Sequence, residues 1–224
     1  MMFFPIPRKK YRLGYSLSEV IITITIVGVI AALSVPSIMQ NTKKTEYVRS
    51  LQKAYAVLSN ATDMIIATEG SPVEWLDTSN PTVTLHDMYK KYIHKVKECN
   101  GDCANIVTEY KNFNGASNSY NIINNNGSLI LPDGTFVRLH YSSKNCTDKQ
   151  TAVGDVDVCA YIHVDVNGAK GPNRWGKDSF RFYLTNDGLL PTGSNLPEST
   201  DCRNTNGGQG CTARVLRDGE IDYW

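Results

Sequence analysis

The segment 14–36, GYSLSEVIITITIVGVIAALSVP, limits what this chain can become more than any other stretch. From Tyr15 to Ser34 it carries one formally charged side chain, Glu19. Tyr15 to Met39 is 25 residues, about 37 Å of helix at roughly 1.5 Å per residue, enough to cross the hydrocarbon of a bilayer. Arg8, Lys9, Lys10 and Arg12 precede it, and residues 1–14 contain no acid. Basic residues on one flank keep that flank in the cytoplasm and send the remainder of the chain out.

Three readings of this segment compete. As a secretory signal peptide it has a basic start, an apolar middle and Ala32-Leu33-Ser34 as a small-x-small cleavage site. The run is longer than the roughly 7–15 residues of such a middle region, and Glu19 has no purpose there. As a plain anchor it fits the topology, but an acid within a membrane helix asks for a function and a partner. The third reading comes from the order of the residues. A basic leader, a Gly14–Tyr15 junction, Glu19 at the fifth position counted from Tyr15, a long apolar run and then Gly28 and Pro36 together resemble the N-terminus of type IV prepilins and type II secretion pseudopilins. The resemblance is strong over residues 8–40 and diffuse afterwards. Tyr15 stands where the family usually has phenylalanine, and Ser18 where isoleucine is common.

That resemblance implies a set of roles. A prepilin peptidase cuts after Gly14 and methylates the new amine of Tyr15. Glu19 of an incoming subunit pairs with the Tyr15 amine of another, whereas a pair inside one chain would merely stabilise its own helix. Gly28 and Pro36 loosen or kink the helix; Pro36 lacks an amide hydrogen and frees the carbonyl of Ala32. The implied organisation is a leader at 1–14, a transmembrane and filament-core stem at 15–36, and a periplasmic, pilin-like globular domain at 37–224. The implied life history starts as a single-pass inner-membrane protein on an assembly platform and ends in a surface or periplasmic filament with copies of itself or other pilins. Pilus subunit, secretion pseudopilin and DNA-uptake pilin share these features. A secreted or membrane-anchored extracytoplasmic binding protein is the alternative from another class.

Beyond Pro36 the helix is expected to continue to Glu69 in amphipathic form. Tyr47, Leu51, Ala54, Tyr55, Leu58, Ala61, Thr62 and Ile65 recur at three- and four-residue steps, and Gly70-Ser71-Pro72 ends the pattern. Residues 73–118 read as irregular, with a short helix around Leu85–Val96. The period then changes to two. Strands are expected at Ser119–Ile123, Ser128–Leu131, Thr135–Tyr141, Cys159–Val166, Phe180–Leu184 and Leu189–Leu190. A final hairpin is expected from Arg214–Leu216 and Glu220–Tyr223 around Arg217-Asp218-Gly219. One long helix followed by an antiparallel sheet is an α+β fold.

Six cysteines form three near pairs, Cys99 with Cys103, Cys146 with Cys159 and Cys202 with Cys211. In an exported chain they read as disulfides, with zinc as the rival use of the same residues. Between Asp165 and Asp178 lies a glycine-rich loop offering Asp165, Asn167, Asn173 and Asp178. Such oxygens suit a hard cation such as calcium, and they also suit tight turns. Some pseudopilins bind calcium in a C-terminal loop, but the spacing here does not match an EF-hand, and the loop reads first as a turn-rich structural one that requires no cofactor. No nucleophile elbow, P-loop or zinc-protease motif is present, and the chain reads as a non-enzyme. With the four leader residues removed from its 23 basic side chains, the rest is outnumbered by 22 acidic ones. The composition therefore supplies no general attraction to nucleic acid.

Overall fold

A computed structural model describes residues 14–76, 78–94, 97–100, 109–117, 126–150, 156–168, 170–194, 202 and 207–224. They divide into two units, the first ending at Lys43 and the second running from Lys44 to Trp224. Helix α1 spans Leu17–Glu69. It continues through Gly28 and Pro36, so no turn is melted at the proline. At its far end Gly70 takes φ +89° and donates its N–H to the Ile66 carbonyl, 3.2 Å away, the left-handed cap that stops a helix.

In the first unit the helix from Val20 to Met39 carries no charged residue and is exposed on every side, with Ile24 at 65% and Val20 at 41%. In the second unit one stripe of α1 is buried: Tyr47, Val48, Leu51, Ala54, Leu58, Ala61, Thr62 and Ile65. These are the residues the sequence periodicity selects, with Val48 added and Tyr55 only half-buried. Leu51 and Leu58 are fully enclosed, and truncating either to alanine costs about 2–5 kcal/mol.

The stripe packs on a six-stranded antiparallel sheet in the order β1-β2-β3-β6-β7-β8. The strands are β1 Lys97–Asn100, β2 Asn126–Ile130, β3 Phe136–Tyr141, β6 Ala160–Asp165, β7 Ser179–Thr185 and β8 Gly188–Pro191. A separate ribbon pairs β4 Asp148–Gln150 with β5 Val156–Val158. Val137, Leu139, Ile162, Val164, Phe180 and Phe182 share a core with the α1 stripe, and Tyr55 stacks on Phe182 with ring centres 5.5 Å apart. Long helix and antiparallel sheet make the fold α+β.

Several elements differ from the sequence reading. The region after Gly70 is not irregular: it holds α2 Pro72–Trp75, α3 Pro81–Tyr92 and β1. Helix α3 starts four residues earlier than Leu85 because Asn80-Pro81 places a proline in its first turn, where no intrahelical N–H is needed. Its Tyr89 hydroxyl lies 2.6 Å from Thr62 Oγ1, tying α3 to α1. The expected terminal hairpin is absent. Cys211–Asp218 is helix α4 and residues 220–223 form no strand. Cys211, Thr212 and Val215 are buried on one side of it, and Gly219 at φ +69° is its left-handed cap, not a hairpin turn. The strand expected at Ser119–Ile123 lies outside the described residues.

Cys146 is bonded to Cys159 and Cys202 to Cys211, as sequential pairing requires. Zinc ligation by these four is thereby excluded. The side chain of Cys99, and Cys103 altogether, lie outside the described residues.

Candidate functional site

Two places carry the expected chemistry, one in each unit. At the first, Gly14 to Ser16 precede the helix, and a Cβ built on Gly14 would meet nothing within 4 Å among the described residues. Ser16 is the residue before the first helical turn and Glu19 the third residue within it. The Ser16 N–H donates to Glu19 Oε2 at 2.9 Å, the Ser16 hydroxyl donates to the same oxygen at 3.1 Å, and the Glu19 N–H donates to Ser16 Oγ at 3.2 Å. This is a capping box, in which serine and glutamate satisfy each other's orphan backbone donors. It supplies a use for Glu19 that the apolarity of the segment conceals. The signal was available as Ser-x-x-Glu immediately before an apolar run. Leader residues 1–13 lie outside the described residues.

The second place is the loop between β6 and β7, where Asp165 and Asp178 are almost completely buried, at 1% and 0% exposure. Asp178 frames the loop. Its Oδ1 accepts the Arg174 N–H at 2.7 Å, and its Oδ2 accepts the Asn173 N–H at 2.8 Å and the Asn167 side-chain N–H at 3.2 Å. Asn167 also donates to the Tyr47 hydroxyl at 3.1 Å and to the Gly171 carbonyl at 3.3 Å, which ties the loop to α1. Asp165 Oδ1 accepts the Asn167 backbone N–H at 3.2 Å. Gly168 cannot be replaced here, because a Cβ would come within 2.7 Å of the Gly134 carbonyl oxygen.

Neither carboxylate has a basic partner within ion-pair reach among the described residues. Burial, then the nearby Asp178 charge, pushes the Asp165 carboxyl well above the usual carboxylate range. Burial raises Asp178 as well, against the donated N–H groups that hold it down. The Tyr110 hydroxyl and the Gly168 N–H also bond to the Asp165 carboxylate, while Asn167 Oδ1 and Asn173 Oδ1 are buried without a hydrogen-bond partner among the described residues. The loop thus brings all four expected residues together, with two amide oxygens left without a donor among the described residues. A donor set of carboxylate and amide oxygens fits a hard cation. It contains no cluster of three or more acidic, histidine or cysteine side chains, and none occurs among the described residues.

One feature of the sheet escapes the sequence reading. Arg138, His163 and Arg181 stand in register across β3, β6 and β7, on the face turned away from α1. All three are buried. The Arg181 guanidinium sits 5.4 Å from the Tyr161 ring and 5.2 Å from the Tyr183 ring, and donates to the Tyr183 hydroxyl. Burial, then Arg181, Arg138 and His140, holds the His163 imidazole well below its ordinary value. The alternation of polar residues along each strand was visible, but alternation normally marks a solvated face.

A cavity of about 580 Å³ near the β7–β8 turn is lined by Asp63, Asp157 and Asp187 among others, and by no histidine or cysteine. Comparison of the chain with family models, with curated proteins and with solved structures finds no match.

Proposed function

We propose that this chain is a prepilin-type structural subunit, cut after Gly14, methylated on Tyr15 and assembled into a helical filament. The observation that carries the proposal is the pairing of two features at the start of the helix. A Gly14–Tyr15 junction, open among the described residues, precedes a capped helix whose first half is long and apolar enough to cross a membrane and is exposed throughout. A stem of this kind first needs lipid and then needs other stems. A repeated head-to-tail contact that does not close gives a filament. In this reading the loop of Asp165, Asn167, Asn173 and Asp178 holds a calcium ion. The ion would take up the Asn167 and Asn173 oxygens that lack a donor among the described residues, while Asp178 keeps the loop backbone in place.

The test is the mass of the mature N-terminus. The proposal expects methylated Tyr15, and expects Gly14→Leu to leave the leader uncut. A chain beginning at Val35 would identify an ordinary signal peptide, and an intact N-terminus a plain anchor; either result overturns the proposal.

A further inference from the structure

The turn that carries Asn173 and Asp178 is held from inside and from outside the loop. Asn173 takes φ +51°, a left-handed conformation that costs asparagine what it does not cost glycine. Inside the turn, Asp178 accepts the Asn173 and Arg174 N–H groups. From outside, the Lys111 N–H donates to the Asn173 carbonyl at 2.9 Å and the Trp175 N–H donates to the Lys111 carbonyl at 3.0 Å. The third outside hold is the longest in sequence. The Tyr223 hydroxyl donates to the Gly176 carbonyl at 2.6 Å, across 47 positions of chain.

Helix α4 aims that hydroxyl. Arg214 donates to both oxygens of Asp222 at 2.9 Å, and its guanidinium lies 5.4 Å from the Tyr223 ring. Phe113 packs on the same ring with centres 5.6 Å apart. At its other end α4 begins with Cys211, bonded to Cys202, and a Cβ on Gly176 would come within 2.8 Å of the Cys211 sulfur. The turn and the helix are therefore in contact at two points. Burial raises the Tyr223 hydroxyl above its ordinary value, which keeps it protonated and a donor.

Among the described residues no hydrogen bond joins Tyr223 to Asp165, Asn167, Asn173 or Asp178. It acts on Gly176, which lies between Asn173 and Asp178 in one tight turn. The Lys177, Asp178 and Ser179 N–H groups all point to the Arg174 carbonyl, at 3.1, 3.3 and 3.2 Å, so a shift at Gly176 reaches both ends. A ligand oxygen that must be ordered when the ion arrives binds it more weakly than one already in place.

We propose that Tyr223 is a positioning residue for the cation loop. By holding the Gly176 carbonyl it presets Asn173 and Asp178, so that helix α4 sets the affinity of a site it does not touch. The inference rests on the calcium reading above.

The experiment uses the full chain in detergent, with terbium as the probe and calcium as its competitor. Trp175 lies within the turn, so exciting it sensitises terbium bound there, and Asp178→Asn should abolish that emission. Tyr223→Phe should raise the Kd for both ions about 5–10-fold, the effect of one ordering hydrogen bond. In chelator it should also speed hydrogen exchange at the Asn173 and Arg174 amides relative to those of β6. Tyr89→Phe removes a comparable hydroxyl, the one 2.6 Å from Thr62 Oγ1, away from the loop. It should leave the Kd within about twofold of wild type. A Tyr223→Phe chain that binds both ions as wild type does would overturn the proposal. So would equal weakening in Tyr89→Phe, which is general destabilisation. Wild type without emission, or emission that survives Asp178→Asn, sinks the calcium reading and the proposal with it, so the two failures are distinct.

Discussion

Replacing Asp178 with asparagine tests what holds the loop between β6 and β7. The carboxylate accepts three hydrogen bonds, at 2.7, 2.8 and 3.2 Å. An amide keeps one oxygen. If that oxygen faces Asn173 and Asn167, the new NH₂ group faces the Arg174 N–H, and a donor meets a donor. If it is flipped, two bonds are lost. At least one hydrogen bond to a charged group therefore disappears, worth about 1.5–3 kcal/mol. The survivors weaken because they are no longer charge-assisted. Part of this loss is returned, since burial already makes the Asp178 charge costly. The net expectation is a destabilisation of about 2 kcal/mol in chelator. Calcium adds a second reading, because a ligand at a hundred times its Kd stabilises the state it binds by about 2.7 kcal/mol. The assay is urea unfolding of the full chain in detergent, followed by tryptophan fluorescence, with calcium and with chelator. Wild type should gain from calcium and Asp178→Asn should not. A variant within about 0.5 kcal/mol of wild type in chelator would refute the role of Asp178 as the loop's frame. Equal calcium increments in both proteins would refute the dependence of the cation on Asp178, and no increment in wild type would refute the cation.

Glu19→Gln retains the hydrogen bonds of the capping box while removing the charge. Processed protein should accumulate in membranes by immunoblot while sheared filaments are lost, and normal filament yield would reduce Glu19 to a helix cap. The depressed imidazole of His163 makes the unfolded chain the better proton acceptor. Stability from this residue is whole above about pH 6.5 and declines as pH falls toward its folded value, by at most about 1.4 kcal/mol per unit. Denaturant midpoints over a pH series should therefore slope less steeply in His163→Gln, with His140 contributing in the same direction in both proteins. Replacing Cys146 and Cys159 together with serine opens a link across 13 residues, and should cost about 3 kcal/mol in unfolding measurements. Peptide mapping without reduction should recover that link and Cys202–Cys211.

The amphipathic half of α1 was legible because its stripe repeats over many turns, so that Leu51, Leu58 and Ile65 support one another as a signal. Strands β2, β3, β6, β7 and β8 were legible for the corresponding reason, with Pro132-Asp133-Gly134 and Asn186-Asp187-Gly188 marking where the chain reverses. Asp218-Gly219 misled because a glycine at positive φ serves a hairpin and a helix end equally well. The choice between them was made by the burial of Cys211, Thr212 and Val215, which depends on distant partners. At the candidate loop the four oxygen-bearing residues could be named from composition. Their roles could not. That Asp178 organises amides while Asp165 has no counter-charge among the described residues is a result of tertiary burial, and no short window of sequence contains that information.

Every residue of β6 and β7 is buried, on the α1 side and on the side of Arg138, His163 and Arg181 alike. Neither strand shows a side chain to the outside. Evolutionary drift in whatever this unit displays is therefore confined to the segments laid over the sheet, while the strands beneath stay fixed by their packing. A lineage could change its outer face by rewriting those coverings and leave the structure that carries them untouched.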